Sequence, residues 1–64
     1  MKRTDLEKHL REHGCVLHHH GAKHDIWLNV VNLSQSPVPR HREIKKGTAR
    51  GICATLGIPK PPGS

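Results

Sequence analysis

Seven histidines are spread over 64 residues, and histidine is the side chain whose ordinary titration lies nearest neutral pH, which suits it to proton transfer. Their spacing sorts them. His18, His19 and His20 are consecutive in a stretch that reads as a strand, so they alternate across it and cannot act as one site. His9 and His13 stand four apart, a metal-ligand spacing on a helix, with Cys15 close behind; a zinc site needs four ligands, and no second paired motif supplies the rest. His24 differs. It follows Gly21-Ala22-Lys23, a tight-turn sequence, and opens the next strand, where it would be exposed, fixed and beside the ammonium of Lys23. It is the candidate catalytic residue, although its placement alone fits an ordinary surface histidine equally well.

Charge narrows what such a residue would act on. Eleven Lys and Arg stand against five Asp and Glu, a formal charge of +6, which makes polyphosphate backbones the leading partner class. Lys23, Arg40, Arg42, Lys45, Lys46 and Arg50 concentrate at the turn before His24, at the exit of a third strand and at the start of a second helix. The backbone N–H groups of that helix start would add to a phosphate-sized basic patch. A merely solvated charged face is the other reading of the same residues. There is no Phe and no Tyr, so Trp27 is the only stacking platform, which argues against base stacking as the main source of affinity.

The elements that must position these residues follow from periodicity. Thr4 and Glu7 make a capping-box pattern, and Leu6 and Leu10 share one face of a first helix expected over residues 4–13 and ended by Gly14. Glu7 with Arg11 and Lys8 with Glu12 are opposite charges four apart on it. Cys15 to His20 and His24 to about Val31 read as a hairpin; in its second strand Ile26, Leu28 and Val30 fall on one face and Asp25, Trp27 and Asn29 on the other. Asn32 to Ser36 is expected to turn, and Pro37 and Pro39 restrict the third strand to a short or edge position. From Ile44 onward Thr48, Ile52 and Leu56 recur every four residues beside Ala49 and Cys53, giving an amphipathic helix closed by Gly57, with Ile58 folding back and Pro59 preventing continuation.

The reading is an α+β fold of order α-β-β-β-α, a three-stranded antiparallel sheet with two helices on one face, in a single domain over residues 1–58 with a Pro-rich tail over 59–64. With 33% hydrophobic residues the core is thin, which points to stabilisation by a partner. Cys15 and Cys53 lack any C-x-x-C spacing and are expected to be buried, reduced thiols. No apolar leader or membrane span is visible, so a cytoplasmic location is expected.

Five segments in order, Met1 to Leu6, Glu12 to Cys15, Gly21 to Trp27, Val38 to Ile52 and Leu56 to Pro59, resemble the HicA toxins along nearly the whole chain. The resemblance implies a double-stranded-RNA-binding-like fold and the toxin of a type II toxin–antitoxin pair. Such a toxin is a metal-independent endoribonuclease (mRNA interferase) without cofactor that cleaves mRNA and is neutralised by a HicB-type antitoxin in a hetero-oligomer. It also implies that the active histidine follows a glycine at the start of the second strand, which maps onto His24. The family's frequent Gly-Ser-His is spelled Gly21-Ala22-Lys23-His24 here, one residue longer, which leaves His20 across the turn as the second candidate. A non-catalytic nucleic-acid-binding module is the alternative function of the same basic domain.

Overall fold

Leu6, Leu10 and the edge of His9 form the buried face of α1 (Arg3–Glu12) in the computed structural model, which describes residues 1–63. The capping box does not form. The helix begins one residue before Thr4, with Lys2 at the N-cap and no side-chain cap. Backbone pairing replaces it: Lys2 bridges Glu43, Arg3 N donates to Arg42 O at 2.8 Å, and Ile44 N donates to Met1 O at 2.7 Å. Glu7 pairs with Arg3 at 3.7 Å rather than with Arg11, whose guanidinium instead lies 5.2 Å from the Trp27 ring centroid.

The strands β1 (Cys15–His20), β2 (His24–Asn29) and β3 (Gln35–Pro39) form an antiparallel sheet in that order. Cys15 pairs with Asn29 and Leu17 with Trp27; a bulge between Leu17 and His19 then shifts the register, so that His20 lies opposite Asp25. Across β2, Trp27 faces Ser36 and Asp25 faces Val38. The expected strand end at Val31 moves back to Asn29, because Val30 to Asn32 form the turn and β3 starts at Gln35.

The alternation along β2 is as expected, and the buried parity is that of Asp25, Trp27 and Asn29. Ile26 and Leu28 are half-buried on the opposite face, and Val30 lies exposed beyond the strand. Cys15 and Val38 share the parity of Trp27 in their own strands, so the helix-covered face collects the one large aromatic and both neighbours. Burial of Trp27 withdraws the chain's only aromatic ring of the Phe, Tyr or Trp kind from stacking on a base. Its Nε1 has no hydrogen-bond partner among the described residues.

Helix α2 (Lys46–Leu56) buries Ala49, Ile52, Cys53 and Leu56 against that face, while Thr48 stays exposed. Gly57 ends it at φ 72°, and Ile58 N returns to Cys53 O at 3.0 Å. Both cysteines are free and buried, and burial pushes both thiol pKa values up. Beyond α2, Pro59 O accepts from His9 Nε2 at 2.8 Å and Pro61 is buried.

Candidate active site

The turn between β1 and β2 is where the sequence places chemistry, and its geometry is set by close backbone approach. Gly21 N donates to His24 O at 2.7 Å. A Cβ on Gly21 would stand 2.8 Å from that same oxygen, so the missing side chain is what lets the strand return so tightly. His24 is thereby exposed at the first position of β2, opposite Pro39.

His24 shares an open hollow of about 410 Å³ with Lys23, Pro39, Arg40 and His41. A second hollow of about 640 Å³ is lined by Pro39, His41, Arg42, Glu43, Ile44, Lys45 and Thr48. Pro39 and His41 line both, so the two hollows adjoin as a depression that reaches from the turn toward the start of α2. Arg42 also lines a third hollow with Lys2, Arg3 and Thr4. The backbone pairing of residues 1–3 with 42–44 braces this connection, which explains how a segment without regular structure holds its basic side chains in place.

Of the predicted basic residues, Lys23 and Arg40 therefore stand beside His24, and Arg42 and Lys45 beside the adjoining hollow. Lys46 and Arg50 are exposed on α2 and line neither. Helix α2 starts without a side-chain cap and without an acidic residue in its first turn, leaving its N–H groups open to an anion.

One arrangement was not legible beforehand. Asp25 is buried, and its Oδ1 accepts from His20 Nδ1 at 2.7 Å and from Arg40 Nε at 2.8 Å. The hydrogen bond from His20, then that from Arg40, holds the Asp25 carboxyl below the usual carboxylate range. Arg40 also donates to the carbonyls of Gly21, Ala22 and His24. The only signal in the sequence is that Asp25 shares the parity of Trp27, which makes it a buried acid in need of partners.

The pair His9 and His13 makes no ligand set: His9 is bonded to Pro59 O, and His13 Nδ1 lies 2.9 Å from His9 O. Among the described residues no group of three or more His, Cys, Asp or Glu side chains is arranged to hold a metal ion.

A family model described as the HicA toxin of bacterial toxin–antitoxin matches residues 3–58, which span all five elements. The chain belongs to the HicA toxin family. HicA membership makes it the toxin of a toxin–antitoxin system, with an antitoxin as its partner. No curated protein and no solved structure matches the chain significantly. Among the described residues no helix is long and apolar enough to cross a membrane.

Proposed function

We propose that this HicA protein is an endoribonuclease that cleaves mRNA without a metal, with His24 as general base, and that a HicB-type antitoxin neutralises it by covering the basic depression. The observation that carries the reading is the shared hollow: an exposed histidine at the end of a tight turn, next to a lysine, with a second histidine lining the same hollow. His24 takes the proton of a ribose 2′-hydroxyl, and the oxygen attacks the adjacent phosphorus. The P–O5′ bond breaks, the departing oxygen takes a proton from His41 or water, and a 2′,3′-cyclic phosphate remains. Lys23 stabilises charge growing on the phosphoryl oxygens. Arg42, Lys45, Lys46 and Arg50 hold the flanking backbone, in keeping with their exposure along the depression and α2.

The test is cleavage of end-labelled single-stranded RNA in EDTA, with His24→Ala, His20→Ala and an all-deoxy strand alongside. Loss confined to His24→Ala, with the deoxy strand intact, is the expected result. Cleavage of the deoxy strand would rule out attack by the 2′-hydroxyl. Binding without cleavage by the wild type would replace the reading with a non-catalytic RNA-binding module.

A second reading has its own support, because His20 is the histidine with a carboxylate partner. Asp25 fixes its ring orientation and leaves Nε2 without a partner among the described residues, the arrangement that prepares an imidazole as a base. Loss of cleavage confined to His20→Ala selects it.

A further inference from the structure

We propose that Arg40 is a positioning residue for His24, a clamp that Asp25 locks onto the β1–β2 turn, rather than a phosphate contact. The proposal rests on the reading of His24 as the reactive residue.

Between His20 and His24 the turn consists of Gly21, Ala22 and Lys23, and among the described residues its only backbone–backbone hydrogen bond is that from Gly21 N to His24 O. A single backbone bond across three exposed or half-exposed residues leaves such a turn free to open. The carbonyls of Gly21, Ala22 and His24 all converge on one guanidinium, with Arg40 Nη1 3.3 Å from Ala22 O and Nη2 bonded to Gly21 O and 3.4 Å from His24 O. The remaining edge, Nε, is held at 2.8 Å by Asp25 Oδ1. Asp25 is fixed in turn by His20, whose Nδ1 bonds the same Oδ1 at 2.7 Å. The fork thus spans both ends of the turn and the strand that carries His24.

Geometry and charge both argue against Arg40 as a phosphate ligand. Four of its five N–H donors already face a carboxylate and three carbonyls, so a phosphate could grip it in two places only by displacing one of them. Asp25 neutralises it in place, which makes the positive field beside His24 weaker than a count of basic residues suggests. Lysine cannot substitute, because a single ammonium offers three donors from one point and cannot reach along the planar edges that Arg40 uses.

The experiment compares Arg40→Lys and Arg40→Ala in the full chain. Both are expected to lower kcat by about ten- to a hundredfold with KM and its salt dependence unchanged, as displacement of a reacting group does. Hydrogen exchange at the Gly21 amide is expected to accelerate at least about tenfold in Arg40→Lys while the amides of Trp27 and Ile52 keep their protection. Full rescue by lysine, or a rise in KM with a flatter salt dependence in Arg40→Ala, would assign Arg40 to phosphate and overturn the proposal. Unchanged Gly21 exchange would overturn it as well. If the wild type does not cleave RNA, the reading of His24 falls by itself, and the exchange measurement still decides whether Arg40 holds the turn.

Discussion

Asn29 donates through Nδ2 to the carbonyl of Leu56 at 2.8 Å, joining the last residue of β2 to the last residue of α2. The carbonyls of a final helical turn have no partner within their own helix, so this buried amide satisfies one of them from the sheet. Its Oδ1 accepts from Val31 N at 2.9 Å and so also shapes the β2–β3 turn.

Replacing Asn29 with Leu is expected to cost about 1–3 kcal/mol, because the carbonyl of Leu56 would keep only the longer bond from Asn32 and the amide of Val31 would lose its acceptor. Urea unfolding should show a lower midpoint with an unchanged slope.

Gly57 is expected to accept a side chain only at a cost. Its φ of 72° is left-handed, and a Cβ there would stand 2.8 Å from Asn32 Nδ2. Gly57→Ala should lose about 1–2 kcal/mol, which for a domain of this size lowers Tm by roughly 4–8 °C per kcal/mol in a calorimetric scan.

Acid should act through Asp25. Its carboxyl pKa is depressed in the folded state from an ordinary 3.8, so its contribution to stability is present in full well above that value. The contribution is lost as pH falls from about 4 through the folded pKa, because there the unfolded chain binds the proton more readily. Tm measured from pH 6 downward should fall less steeply in Asp25→Asn than in the wild type over that interval.

The basic residues along the depression and on α2 should show themselves in salt dependence. Lys45→Ala and Lys46→Ala are each expected to weaken single-stranded RNA binding and to reduce the slope of log K against log salt by about 0.7, the amount for one phosphate contact. Fluorescence anisotropy from 50 to 300 mM salt reads both quantities, and an unchanged slope would place that side chain outside the path of the RNA.

Neither thiol should react with alkylating agents in the folded protein. Cys15 and Cys53 are both buried, and desolvation raises both pKa values, so little reactive thiolate is presented. Labelling followed by mass spectrometry should be slow in buffer and should accelerate with urea in step with unfolding.

The element order was legible because each element carries a periodic signal: four-residue spacing in α2, alternation in β2, glycine at the turn before His24 and after α2. The buried side of β2 was less so. Ile26 and Leu28 outnumber Trp27 in apolar residues, and only the neighbouring strands, which align Cys15 and Val38 with Trp27, decide the matter. The start of α1 was misplaced because a pairing between residues some forty apart replaces the local cap. At the candidate site, the nearness of Lys23 to His24 follows from sequence adjacency. The approach of Pro39, Arg40 and His41 depends on the register of β3, and the role of Asp25 on its burial, neither of which local patterning encodes.

The two prolines of β3 have a consequence for association. Pro37 and Pro39 lie two apart, so both nitrogens point to the same side, and the unbroken pairing from Gln35 to Pro39 with β2 means that side is the outer one. The free margin of β3 therefore lacks amide hydrogens at two of its three outward positions and cannot template an added strand. On the other margin, the irregularity between Leu17 and His19 interrupts the spacing that an incoming strand would need. At the β3 margin a partner must therefore engage side chains rather than extend the sheet, and the same prolines protect a small, highly charged chain from edge-to-edge aggregation there.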